Sequence, residues 1–184
     1  MADGARLRRL ATAALTSSEI DSIRALMLAA FGTDTERGFD DDDWDHALGG
    51  LHFVLDVDGV IVAHAAVVER ELRVDDRPLR TGYVEAVAAA PEHQGRGFGS
   101  QVMEDVARYI RSTFELGALG TGRHSFYERL GWRTWQGPTS VRTADGPQRT
   151  PEEDGDILVL RTPTTPPLDP TASISCDWRA GDVW

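Results

Sequence analysis

The sequence predicts an α/β (α+β) fold, a mixed, mostly antiparallel sheet flanked by helices, carried by one domain over residues 1–184. Three observations predict it. Long β-rich runs in the middle of the chain are joined by tight turn signals, which makes a meander. Helix-periodic segments lie on either side of that meander. Between the last long run and the longest helical pattern stands a glycine-rich loop, Gln94-Gly95-Arg96-Gly97-Phe98-Gly99.

Taken in order, Thr16-Ser17-Ser18-Glu19 has the form of a capping box, with Leu15 and Ile20 placed for a hydrophobic staple. Ile20, Ile23, Met27 and Phe31 mark the apolar face of a first helix, and a loop over 32–43 follows. A second short helix is predicted over 43–48, stopped by Gly49-Gly50. Residues 51–57 and 60–74 read as strands joined by Asp58-Gly59, and Asp75-Asp76-Arg77-Pro78 turns into a strand over 79–88. Pro91 ends that strand because it cannot donate to a ladder. Val102, Met103, Val106, Ile110 and Phe114 recur at helical spacing, predicting a helix over 98–114. A strand over 116–120, a helix over 124–129 ending at Gly131, and late strands over 132–135 and 157–160 complete the order. Residues 163–170 are proline-rich, a linker or an extended cover. The tail from Cys176 to Trp184 holds two tryptophans, so residues 163–184 are expected to dock rather than fray.

Composition excludes several function classes. With 19 basic against 30 acidic residues the net charge is −11, which argues against nucleic acid and anionic membrane and suits a cationic ligand. No apolar run approaches the roughly 20 residues of a membrane span, and no signal-peptide pattern opens the chain, so a cytoplasmic protein is expected. The single cysteine, Cys176, excludes an internal disulfide and reads as a small apolar residue. Five histidines (His46, His52, His64, His93 and His124) show no metal-ligand spacing, so no metal is expected. Acids cluster at Asp40-Asp41-Asp42-Asp43 and Glu152-Glu153-Asp154.

A glycine-rich turn opening a helix presents backbone N–H groups and a positive dipole end, both suited to phosphate. A nucleotide P-loop needs a lysine, and the chain contains none. A dinucleotide turn needs G-x-G-x-x-G, whereas Gly95, Gly97 and Gly99 are spaced G-x-G-x-G. Gln94, Gly97 and Gly99 instead fill the pattern Gln/Arg-x-x-Gly-x-Gly/Ala. This resembles the acyl-CoA pyrophosphate loop of the GNAT superfamily of N-acetyltransferases. The cosubstrate the resemblance implies is acetyl-CoA, on the loop residues Gln94, Gly95, Arg96, Gly97, Phe98 and Gly99. The backbone of Val87, Ala88 and Ala89 would pair with its pantetheine arm.

Acetylating an amine needs a neutral nucleophile, an oxyanion donor for the thioester carbonyl and a proton for the departing thiolate. Phe126-Tyr127-Glu128-Arg129-Leu130-Gly131-Trp132 resembles the second motif of that superfamily, and Tyr127 is the candidate general acid. Glu85 sits inside an otherwise apolar strand, where a carboxylate is costly unless paired or used; it would hold the ammonium and accept its proton. Alternation puts Tyr83, Glu85 and Val87 on one face and Val84, Ala86 and Ala88 on the other. The Val87 N–H is a plausible oxyanion donor.

Further strings narrow the resemblance to the aminoglycoside 2′-N-acetyltransferases of mycobacteria and their actinobacterial relatives. They are Asp43-Trp44-Asp45-His46-Ala47-Leu48-Gly49-Gly50, Gly82-Tyr83-Val84-Glu85, Trp135-Gln136-Gly137-Pro138-Thr139-Ser140-Val141 and Cys176 to Trp184. That family acetylates polycationic drugs, giving antibiotic resistance, and acts as a homodimer. The resemblance implies drug contacts at Glu85, Ala86, Asp43, Glu152, Glu153 and Asp182 and at the terminal carboxylate of Trp184, with Asp34 as an early acidic contact. Gly120 falls where the family can offer a serine hydroxyl. Glu85, Tyr127 and the Trp184 carboxylate are then the candidate catalytic groups. Another small amine (a polyamine, an amino sugar or a peptide N-terminus) and plain acyl-CoA or drug binding are the other readings.

Overall fold

In the computed structural model the chain is described over residues 4–32 and 39–184. Asp34 lies outside the described residues. Those residues fall into two compact units: the chain up to Val68 with Val84–Val106, and Glu69–Tyr83 with Ala107–Trp184.

The first unit starts with a strand, β1 (Ala5–Ala11), that pattern reading had not delimited. Helix α1 (Ser17–Phe31) follows, and its capping box is complete: Thr16 accepts from the Glu19 amide and Glu19 from the Thr16 amide. Helix α2 (Asp41–Ala47) begins earlier than predicted, because Asp40 is its N-cap and Asp43 the third helical residue, closing a second capping box. Three acids in its first turn favour the helix dipole, so the Asp40–Asp43 run has a local structural use. Strands β2 (Leu51–Val57) and β3 (Val60–Val74) have the predicted bounds, and β4 (Arg77–Ala89) extends the predicted strand slightly at both ends. Antiparallel pairing joins β1 to β2 from Ala11↔Leu51 to Ala5↔Val57, and β2 to β3 from Leu51↔Val67 onward. The core of this unit packs Ile23, Leu26 and Met27 of α1 with Phe39, Trp44, Val54, Ala88 and Ala90, and Leu15 and Ile20 close on it as the staple requires.

Helix α3 (Phe98–Thr113) runs through the division between the units. The second unit adds β5 (Leu116–Gly120), α4 (His124–Glu128), β6 (Arg133–Thr134), β7 (Thr139–Thr143), β8 (Gly146–Arg149), β9 (Ile157–Arg161) and β10 (Ile174–Asp177). Strand order here is β6-β9-β5-β4-β3-β10-β7-β8. The β4–β5 and β7–β10 pairs are parallel, and β5–β9, β6–β9, β3–β10 and β7–β8 are antiparallel, so the sheet is mixed as expected. Trp132, Trp135, Leu116, Ile157 and Leu158 are all buried.

The proline-rich segment is a docked cover. Gln136 and Gly137 amides both donate to the Pro170 carbonyl, and the Trp135 indole donates to Ala172. A Cβ on Gly137 would lie 1.8 Å from the Ala172 carbonyl oxygen, so this close crossing of two backbones requires glycine.

Candidate functional site

Consider first the groups in the first unit. Strand β4 carries Glu85, Ala86, Val87, Ala88 and Ala89, and Ala86 stands at φ +51°. A non-glycine residue in the left-handed region inside a strand is the geometry of a bulge. The strict alternation predicted through Tyr83, Glu85 and Val87 is therefore broken at Ala86. Glu85, Ala86 and Val87 are half-buried. Gly95 (φ +79°) and Gly97 (φ +82°) shape the loop that follows, where no neighbour would crowd a Cβ, so glycine is needed there for backbone angle alone. The first helical bond of α3 runs from Gln101 to the Gly97 carbonyl, so the amides of Phe98, Gly99 and Ser100 precede the ladder and face the positive end of a 16-residue helix. Phe98 is buried and anchors the turn, while Arg96 lies over its ring at 5.3 Å and bonds His93 at 2.9 Å. A loop of this kind binds anions, phosphate above all.

Two buried histidines missed by sequence reasoning lie behind the bulge. His64 Nδ1 is 2.8 Å from the Ala86 carbonyl, His64 Nε2 is 3.0 Å from His52 Nδ1, and His52 Nε2 is 2.9 Å from Thr12 Oγ1. Burial pushes His52 down to about 4 and His64 to about 3, so both rings are neutral at pH 7. An unfolded histidine titrates near 6.5, so below that pH the unfolded chain binds more protons and the folded state loses stability. From pH 6.5 to 5 the loss should be about 1.6 kcal/mol for each imidazole. Urea unfolding at stepped pH measures it. The double variant His52→Gln/His64→Asn should flatten that slope; parallel slopes would count against neutral buried rings.

Asp43 of α2 is half-buried, and one of its carboxylate oxygens accepts the Asp40 amide at 3.1 Å.

In the second unit the acids and the tail come together. Trp184 is 4% exposed. Its indole donates to Thr150 Oγ1 at 2.9 Å, its amide donates to Asp182 at 3.1 Å, and Arg179 donates to its backbone oxygen at 3.1 Å. The Trp184 backbone oxygen thus has a cation beside it in the folded chain. A Cβ on Gly120 would lie 3.8 Å from the Trp184 backbone carbon and 3.6 Å from the Tyr83 hydroxyl, so Gly120 lies beside both residues. Trp178, the other tail tryptophan, is exposed.

Glu153 is half-buried, and desolvation together with Asp182, Glu152 and Asp156 pushes its carboxyl up to about 7. Its protonated form is favoured, and the folded state loses stability as pH rises from the ordinary value through 7. A cation bound there would reverse that cost. Asp156, which sequence reading passed over, belongs to this group and also bonds His124 at 3.2 Å. Its signal was present in the run Glu152-Glu153-Asp154-Gly155-Asp156. Tyr127 of α4 is buried edge-on against Phe126 and Trp132, and burial pushes its hydroxyl up to about 12. It therefore remains a proton-bearing donor at any physiological pH. Among the described residues no group of three His, Cys, Asp or Glu is placed to hold a metal ion, and no helix is long and apolar enough to cross a membrane.

A family model described as an acetyltransferase (GNAT) domain matches residues 12–135. The aminoglycoside 2′-N-acetyltransferase of Mycolicibacterium fortuitum is 44% identical over 182 residues, covering 96% of this chain and 91% of that protein. Among solved structures, the GNAT family N-acetyltransferase YhbS of Escherichia coli in complex with CoA superposes with a TM-score of 0.67 at 17% identity, covering 94% of this chain and 89% of its own. A GCN5-related N-acetyltransferase of Kribbella flavida superposes with a TM-score of 0.59 at 22% identity over 75% of this chain, which spans 35% of that longer protein.

Proposed function

This chain belongs to the GNAT acetyltransferase family, and on that premise we propose that it transfers acetyl from acetyl-CoA to the 2′-amino group of aminoglycosides. The observation that carries the choice of acceptor is the 44% identity, over 96% of the chain, to an aminoglycoside 2′-N-acetyltransferase. The charge around Glu153 supports it: a carboxyl raised by desolvation and by three neighbouring acids favours a ligand with several ammonium groups.

In this reading the loop Gln94 to Gly99 takes the pyrophosphate, and Val87, Ala88 and Ala89 pair with the pantetheine arm. Glu85 receives the proton of the attacking amine. The amine nitrogen bonds the acyl carbon, and the Val87 N–H stabilises the oxyanion, an interaction worth roughly 2.7–4 kcal/mol. The carbon–sulfur bond then breaks with Tyr127 donating a hydrogen bond to the leaving sulfur, and the proton given up by the attacking nitrogen ends on that thiolate, so that the products are an amide and free CoA. No metal and no covalent enzyme intermediate take part. Asp43, Glu152, Glu153, Asp182 and the Trp184 carboxylate hold the other ammonium groups. Protection from such antibiotics and a homodimer, which the sequence resemblance implies, complete the reading together with a cytoplasmic setting.

Release of free CoA thiol tests it, with kanamycin B, which has a 2′-amine, beside kanamycin A, which has a hydroxyl there. Release with B alone is the expected result. Equal release with both would move the acetylated position, and none with either would remove the reading.

A further inference from the structure

The buried string of hydrogen bonds ending at Ala86 has one consistent direction. A carbonyl only accepts, so His64 carries its proton on Nδ1, and its neutral Nε2 is a lone pair. His52 must then carry its proton on Nδ1 to bond His64, which leaves His52 Nε2 to accept from the Thr12 hydroxyl. Thr12 Oγ1 in turn accepts the Gly49 amide at 2.9 Å. The Gly50 carbonyl, 3.4 Å from the same hydroxyl, is the more distant competitor for its proton. So the donors run Gly49, Thr12, His52, His64, and the string ends on the carbonyl of the one described residue in β4 with positive φ. A carbonyl takes no proton, so the string does not conduct one. It orients a peptide plane.

That plane joins Ala86 to Val87. In a trans peptide the carbonyl and the following N–H point in opposite directions. Fixing the Ala86 carbonyl on His64 therefore fixes the Val87 N–H facing away from His64. We propose that Thr12, His52 and His64 are positioning residues that hold the strained Ala86–Val87 peptide so that the Val87 N–H meets the acyl oxygen. The inference rests on the proposed acetyl transfer and adds what aims its oxyanion donor. Ala86 costs energy at φ +51°, and such a residue persists only where its surroundings over-determine it. Two imidazoles held neutral in the core supply that determination.

The test uses His64→Phe, which keeps ring volume without a donor, His64→Asn, whose amide can replace Nδ1–H, and Thr12→Val, which removes the hydroxyl that donates to His52 Nε2. Removing an oxyanion donor outright costs about 10²–10³-fold, so misaiming one should cost less. His64→Phe is expected to lower kcat by about 10- to 100-fold, with both KM values within about threefold. His64→Asn should recover most of that loss, and Thr12→Val should fall between. The ¹⁵N spectrum of histidine-labelled protein supplies a readout apart from activity: Nδ1–H tautomers on both rings in the parent, kept in Thr12→Val, where the His52 Nε2 resonance shifts as it loses its hydrogen bond. If His64→Phe does not fold, Thr12→Val decides alone. A shifted His52 Nε2 resonance with lowered kcat supports the relay, and either one without the other overturns it. His64→Asn no better than His64→Phe, or a change in KM only, also overturns it. A parent protein that releases no CoA removes the acetyl-transfer reading instead.

Discussion

Tyr127→Phe is expected to lower kcat by about 10²–10⁴-fold while leaving KM for the amine within about threefold. The ring is buried against Trp132, and phenylalanine fills the same space, so stability should barely change. What is lost is one hydroxyl. Its raised value, about 12, also constrains how it works. A thiol titrates near 8.5, so complete transfer from this phenol to a free thiolate is uphill by roughly 5 kcal/mol. The hydroxyl therefore acts first as a hydrogen-bond donor to charge growing on sulfur, and the proton completes its transfer as the attacking nitrogen gives up its own. The parent kcat should accordingly show no falling limb from this group between pH 7 and 10. A limb in that range that disappears in Tyr127→Phe would mean the hydroxyl ionises there, and unchanged turnover in the variant would remove its role.

The elements of this chain were legible in its sequence wherever a local rule was enough. The capping box at Thr16 and Glu19, the Asp58-Gly59 hairpin and the glycine loop depend on residues within a few positions of one another. What stayed hidden depends on pairing across the chain. Strand β7 lies beside β10 through Ile174↔Thr139, and neither has a period of its own to announce it. Gly137 reads as an ordinary turn residue until Ala172 is found against it.

The candidate site divides in the same way. The loop from Gln94 to Gly99 was marked by its glycine spacing, and Tyr127 by the resemblance of its segment to a superfamily motif, while its burial was not. Neither was the bulge at Ala86, because alternation assumes an unbroken pleat and nothing local to Val84-Glu85-Ala86-Val87 demands a positive φ. His52 and His64 were counted only as non-ligands, since metal spacing was the pattern sought and two alternating core positions on paired strands are silent in it. Asp43 was read as a ligand contact before its capping bond to Asp40 was visible.

Deleting Val183 and Trp184 should raise KM for a 2′-amino aminoglycoside by about 100-fold and leave KM for acetyl-CoA within about threefold. That rise corresponds to roughly 2.7 kcal/mol, the size of one or two charge-assisted hydrogen bonds to a partly desolvated carboxylate. The deletion also removes a buried indole bonded to Thr150, so thermal stability should fall as well. The two effects are separable. Trp184→Phe keeps the terminal carboxylate and most of the apolar volume but loses the indole donor, so it should lower the melting temperature with a rise in KM of about threefold or less. Arg179→Gln provides the opposite case. It removes the cation that bonds the Trp184 backbone oxygen and leaves the indole in place. If the carboxylate serves the substrate, freeing it from Arg179 should hold or tighten drug binding even as the tail loosens. A deletion that lowers stability with KM unmoved would make Trp184 packing alone, and would leave Glu153 with its neighbours Asp182, Glu152 and Asp156 as the acids that hold the drug.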